Sequence, residues 1–342
     1  MTLTDLVQII KTRWVLLTLF LGVVGLIILI LFRGIPGPSK PTLPPIPIAT
    51  YSASTKPASF DFSSLPKIEY PKQLSAYTIE VQKFTKKQAT DLAVKLGFGP
   101  DPAQTVENTT TGTLYAWHDA TRSLDVSEQI ARYTLFSGGF TGLQLVTDEK
   151  TTQNTAIKFL KETGLATGLT INPTYTSYFK VEGGQLTPVG KQEANIVQFS
   201  LQRVLGNYPL VGQNPILDQV IRVDGSGKIV SFQVKPAVTY DEIAKYPLKT
   251  KNSATKEISG GQGVITTATK VLGGGLLEIT EQPGFQLSKG TIKNVYLAYY
   301  YPIPAPDTLQ PIFVFEGDFV DKKGQEGQLT IYLPAIEGQV GR

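Results

Sequence analysis

The sequence predicts an α+β protein: an N-terminal transmembrane helix, then two to three units that each combine a helix with an antiparallel sheet. Three observations predict it. Trp14 to Phe32, "WVLLTLFLGVVGLIILILF", is a 19-residue run without a charge. Further along, three segments with helical apolar spacing each end on glycine. Between those segments the apolar period falls to two, as it does in strands with one buried face.

The apolar run comes first. At 1.5 Å per residue it would extend about 28 Å, close to the hydrocarbon thickness of a bilayer. Arg33 follows directly and no small-residue cleavage site adjoins, which argues for an uncleaved span over a signal peptide or a core helix. Lys11 and Arg13 on one side balance Arg33 and Lys40 on the other, so the charge count does not orient the span. Residues 1–13 are too short for a domain and are expected to form a cytoplasmic tail. The body is then extracytoplasmic, the protein single-pass in the cell membrane, and the bilayer one of its partners.

Residues 33–72 read as a spacer. Nine prolines lie between Gly34 and Lys72, with serine, threonine and alanine between them. Such a composition buries too little surface to fold and favours a semi-extended chain.

The body divides into residues 73–238, expected as an extracytoplasmic domain of two units, and 239–342 as a C-terminal domain. In the first helix, "TKKQATDLAVKLGF", Thr85 can cap, Ala89, Leu92, Ala93 and Leu96 form the apolar stripe, and Gly97 stops it. The second, "TTQNTAIKFLKETGL", turns Ala156, Ile157 and Leu160 inward and ends at Gly164. The third starts at Thr250 and stops at Gly260-Gly261. Strand patterns surround them, and Asp224-Gly225-Ser226-Gly227 joins two as a hairpin. "LQPIFVFEGDF" reads as a core strand, with Phe313 and Phe315 on one face, Val314 and Glu316 on the other, and Pro311 tolerated at its start. In "NVYLAYYYP", Tyr299 and Tyr301 point one way, Tyr296 and Tyr300 the other. At least one of these tyrosine faces must lie outside the core or under a loop. Tyr296, Tyr299, Tyr300 and Tyr301 are therefore the candidate partner-binding residues.

The combination of "YPLKTKNSATKEISGGQGVI", "IKNVYLAYYYP", "LQPIFVFEGDF" and "YLPAI" resembles the C-terminal region of membrane-anchored bacterial regulators of the YycH/YycI type. The resemblance covers about residues 240–336. It implies an extracytoplasmic body of PepSY-like units and a regulatory partnership with a membrane sensor histidine kinase. The long proline-rich spacer departs from that pattern, and the earlier units carry no motif that aligns.

Composition narrows the chemistry. No cysteine is present, which excludes disulfides, thiol nucleophiles and thiolate metal sites. His118 is the single histidine. The net charge of +4 lies within the first 72 residues and the remaining 270 are neutral, a poor basis for nucleic-acid binding. In Trp117-His118-Asp119, strand alternation sends Asp119 away from His118, so the pair cannot act as in a hydrolase triad. "DGSGKI" lacks the first glycine and the hydroxyl residue of a phosphate loop. Glu316 with Asp318, or Glu278 with Glu281, could be proposed as paired carboxylates for glycoside cleavage, but nothing in the sequence places either pair in a cleft. The expectation is a non-enzymatic regulatory protein that binds a partner, without cofactor or metal. An envelope hydrolase acting on wall polymer or peptide, and a structural tether, are the alternatives.

Overall fold

The computed structural model describes residues 14, 41–46, 59–67, 69–108, 112–165, 167–214, 218–272, 275–278 and 287–338. The chain divides into two compact units, Met1–Leu43 and Pro44–Arg342, and all elements below belong to the second. It begins with β1 (Ser59–Asp61), β2 (Gln73–Val81) and α1 (Lys86–Lys95), followed by β3 (Gln104–Asn108), β4 (Gly112–His118), β5 (Arg122–Val126) and β6 (Ala131–Leu135). Next come α2 (Glu149–Glu162), β7 (Leu169–Glu182), β8 (Gln185–Pro188), β9 (Ile196–Leu205) and β10 (Tyr208–Val211). The hairpin strands β11 (Val220–Asp224) and β12 (Ile229–Val234), then β13 (Val238–Pro247) and α3 (Lys251–Ser259), follow. The chain closes with β14 (Val264–Leu272), β15 (Gly275–Glu278), β16 (Leu287–Tyr300), β17 (Thr308–Leu309), β18 (Pro311–Asp321) and β19 (Glu326–Pro334).

Local chemistry sets the helix ends. Thr85 and Gln88 form a capping box: the Thr85 hydroxyl accepts the Gln88 N–H at 3.2 Å, and the Gln88 side chain accepts the Thr85 N–H at 2.9 Å. Asp148 accepts the Lys150 N–H at 3.0 Å and Thr250 the Ser253 N–H at 3.1 Å. Gly97 and Gly164 follow the first two helices in the left-handed region, at φ +82 and +75, where a side chain would be strained.

The architecture differs from the expected chain of α+β units. Among the described residues strand makes up 50%, and sixteen strands join one sheet, along β15-β14-β19-β18-β16-β10-β9-β11-β12-β6-β5-β4-β3, with β1 added on β16 and β7–β8 on β9. Two junctions fuse the sheets that were expected to be separate. β6 pairs antiparallel with β12, setting Ala131 opposite Val234, and β10 pairs parallel with β16, setting Leu210 opposite Tyr299. The physical reason is edge satisfaction: each short sheet would expose unpaired N–H and C=O groups, and pairing edge to edge removes them. A second sheet, β13-β2-β17, also links distant parts of the chain, since β2 and β13 pair from Gln73↔Pro247 to Val81↔Val238.

The expected membrane anchoring is corrected as well. Among the described residues no helix is long and apolar enough to cross a membrane. α2 is the longest of α1–α3, at 14 residues; that is about 21 Å, short of a bilayer core of about 30 Å, and each of the three helices buries one stripe only. Residues 15–32 of the expected span lie outside the described residues. A single-pass membrane protein, and with it the cell-membrane localisation, is not supported.

Clusters of buried side chains hold the sheet. In the first, Leu92 of α1 and Leu160 of α2 pack with Trp117, Leu124, Phe199 and Phe232 from the strands. The second surrounds β16 and β18. Phe313, Val314 and Phe315 are each 0% exposed, and β18 lies between β16 and β19, so this is a central strand. Phe313 and Phe315 stand opposite Leu333 and Ile331.

Part of the proline-rich stretch belongs to this core. Ile46 is 3% exposed among Val211, Tyr300, Ile312 and Tyr332, and the Gln310 amide donates to the Pro44 carbonyl at 2.7 Å. Ser59 to Asp61 pair parallel with Lys289 to Thr291. An Ile46→Ala variant is expected to lose about 2 kcal/mol in a denaturant titration, the usual scale for truncating a buried isoleucine. A solvated spacer would show no change.

A seam cavity as candidate functional site

The site arises where two ladders are irregular. β7 and β9 pair up to Asn172↔Ser200 and resume at Thr176↔Phe199, so Pro173, Thr174 and Tyr175 leave the register. Pro173 has no N–H to lose there, and the Asn172 side chain accepts the Thr174 N–H at 3.0 Å in an Asx turn. Across the seam, the β16–β18 register shifts between Ile292 and Asn294, which sets Asn294 opposite Glu316. Between these irregularities lies a cavity of about 370 Å³, whose wall includes Asn172, Tyr175, Gln202, Asn294, Tyr296 and Glu316.

Glu316 organises the polar wall. Its Oε1 accepts hydrogen bonds from the Tyr175 hydroxyl and, at 2.9 Å, from the Tyr296 hydroxyl. Among the described residues its Oε2 accepts only the Asn294 amide, at 3.3 Å. A carboxylate offers about four acceptor positions, so Oε2 keeps capacity towards the cavity. No lysine or arginine among the described residues reaches Glu316. Burial first, and the Glu316 charge second, push the Tyr175 and Tyr296 phenols well above their usual range, so both remain donors.

Elsewhere on the wall lies Asp218. It pairs with Lys235 at 2.7 Å, and Lys235 is 1% exposed. The Lys235 ammonium also donates to the Tyr301 carbonyl at 2.6 Å and sits 4.6 Å from the centre of the Tyr301 ring. Gly212, also on the wall, allows this approach: a Cβ there would collide with the Asp218 carboxylate.

The four candidate tyrosines separate as the strand alternation demands. Tyr299 and Tyr301, at 1% and 2% exposure, lie in a cluster with Leu210 and Leu309 that Tyr77 of β2 and Tyr240 of β13 cover. The Tyr299 hydroxyl donates to the Ser75 carbonyl at 2.8 Å. Tyr300, 2% exposed, packs on the opposite face with Ile46 and Tyr332. All three are buried, and Tyr300 also lines a smaller cavity of about 230 Å³ beside Pro44 and Ile46. Tyr296 alone of the four lines the cavity.

The other candidates disperse. His118 is exposed at the end of β4, and Asp119 turns away from it to accept from Thr121 and from the Arg122 guanidinium at 2.8 Å. Those hydrogen bonds, the Arg122 one largest, hold the Asp119 carboxyl far below the usual range. Asp318 pairs with Lys293, while Glu316 is held by phenols and an amide; Glu281 lies outside the described residues. Asp224 organises its hairpin by accepting from the Ser226 and Lys228 N–H groups at 3.0 and 2.7 Å. Among the described residues no three histidine, aspartate or glutamate side chains converge as a metal site would need. The partnership of Tyr175 with Glu316, separated by 141 residues, escapes a sequence reading, although Pro173 inside a strand pattern marks a departure from the ladder.

No family model matches the chain, and no curated protein matches it either. Its fold is similar to that of an uncharacterised protein from Eubacterium rectale ATCC 33656 known from a crystal structure. That likeness covers 83% of this chain and 89% of the other, with a TM-score of 0.50 at 12% identity. It places the sheet arrangement among known folds and carries no function. A structure of the Pseudomonas aeruginosa MucA/MucB complex aligns with a TM-score of only 0.09, at 8% identity over 78% of this chain and 88% of the other.

Proposed function

We propose that this chain is a non-enzymatic binding protein whose ligand occupies the seam cavity, and that it regulates a protein partner according to whether that cavity is filled. The supporting observation is the cavity itself. Its volume of about 370 Å³ falls in the range of ligand pockets, and its polar groups converge from β7, β9, β16 and β18. Those groups suit recognition better than catalysis. The phenols are too weakly acidic to exchange protons near neutral pH, and His118 lies outside the wall. The regulatory role implied by the resemblance of residues 240–336 fits as the output of such binding, because β16 and β18 supply both the cavity wall and the centre of the sheet.

A ligand-observed NMR screen of a small-molecule and dipeptide library tests the reading. Hits on the full chain are expected to disappear in Gln202→Trp, which adds an indole to the wall, while circular dichroism stays unchanged. Hits indifferent to Gln202→Trp, or none at all, would remove the cavity as the site.

A further inference from the structure

We propose that the seam cavity selects an organic ammonium ligand, with its N–H groups donating to Glu316 Oε2. The inference rests on the binding reading above and deepens it. Four features of the wall carry it.

First, the charge balance is negative. Of the two carboxylates on the wall, Asp218 is neutralised by Lys235, whereas Glu316 meets, among the described residues, only neutral donors. Lys293, close in sequence, is engaged by Asp318. Second, the acceptor capacity of Glu316 is unevenly used. Oε1 receives two phenol hydroxyls and Oε2 a single amide at 3.3 Å, which leaves Oε2 able to take one more donor. Third, the hydroxyls of Tyr175 and Tyr296 hold the carboxylate in one orientation, so a ligand meets a preorganised acceptor. Fourth, the remaining neutral polar side chains on this wall, Asn172, Thr174, Gln202 and Asn294, offer amide and hydroxyl groups and no positive charge. A ligand carboxylate or phosphate would face Glu316 with no cation to hold it. An ammonium group brings the missing charge and the missing donors, and a charge-assisted hydrogen bond is about twice as strong as a neutral one. Ring faces from Tyr175 and Tyr296 add apolar wall for a hydrocarbon portion.

Matched probes separate the possibilities in isothermal titration calorimetry of the full chain at neutral pH: phenethylammonium, phenethyl alcohol and phenylacetate. Phenethylammonium is expected to bind at least tenfold more tightly than phenethyl alcohol, and phenylacetate more weakly than either. Glu316→Gln should reduce the preference for ammonium over alcohol to twofold or less. Asn294→Asp, at an exposed position that leaves the core intact, should strengthen ammonium binding several-fold, so the inference remains testable if Glu316→Gln folds poorly. Alcohol or phenylacetate binding as tightly as ammonium, and lost in Gln202→Trp, would overturn the ligand class and leave the cavity as a binding site. Ammonium binding that persists in Gln202→Trp, or the absence of binding by every probe, would overturn the inference.

Discussion

Replacing Lys235 with alanine is expected to destabilise the protein by about 3 kcal/mol or more, read as a fall in the denaturant midpoint at unchanged slope. The ammonium is 1% exposed and serves three groups at once: the Asp218 carboxylate at 2.7 Å, the Tyr301 carbonyl at 2.6 Å and the Tyr301 ring. Truncation leaves a carboxylate on the cavity wall without its cation and a buried carbonyl without its donor. Removing one partner of such a pair costs more than removing both, because the survivor is a charge already withdrawn from water. Asp218 retains 15% of its side-chain surface, so water can reach it, which places the expected loss towards the lower end of the usual range for buried pairs.

The pair can be isolated by a double-mutant cycle. Lys235→Met and Asp218→Asn should each destabilise, and the double variant should lose less than the two losses combined. Strict additivity would mean that the two side chains are held independently and that the ion pair contributes nothing of its own. The cycle also bears on ligand selection: in Asp218→Asn the Lys235 charge is no longer balanced, and the cavity should favour ammonium less.

How much was legible in the sequence follows from how local each feature is. Thr85 caps its helix through a group three residues away, and the Asp224 hairpin closes on itself within four residues. Side-chain alternation correctly divided Tyr299 and Tyr301 from Tyr296 and Tyr300, because the period of two is a property of the strand alone. What covers each face is not. The sheet of β2, β13 and β17 covers one tyrosine face, and Ile46, from a stretch whose composition reads as a solvated spacer, helps cover the other. The joining of β6 to β12 and of β10 to β16 leaves no local mark, since any unpaired edge of suitable length could accept any other. The cavity wall was invisible for the same reason: it forms only when a bulge in β7 meets a register shift in β16.

Phe315→Ala is expected to have an effect as large as any single truncation in this chain, about 3–5 kcal/mol, the range for emptying a buried phenylalanine site. Phe315 is 0% exposed in a strand paired on both sides, with Val295 and Ile331 as its opposite residues. Its ring meets Phe313 at 6.1 Å and Phe62 at 6.4 Å, the latter edge-on, and such contacts add to simple burial. Neighbours fixed by two ladders cannot collapse into the void. Phe315→Leu should cost much less, about 1.5 kcal/mol or below, because most of the volume is kept. The comparison also tests the packing of the segment before residue 73. Phe62→Ala should be non-additive with Phe315→Ala in the same titration, by about 0.5 kcal/mol or more, since each ring is part of the other's surroundings. Additive losses would place residues 59–67 outside the core. Near-neutral behaviour of Phe315→Ala itself would contradict a central strand and return "IFVFEGDF" to a sheet edge.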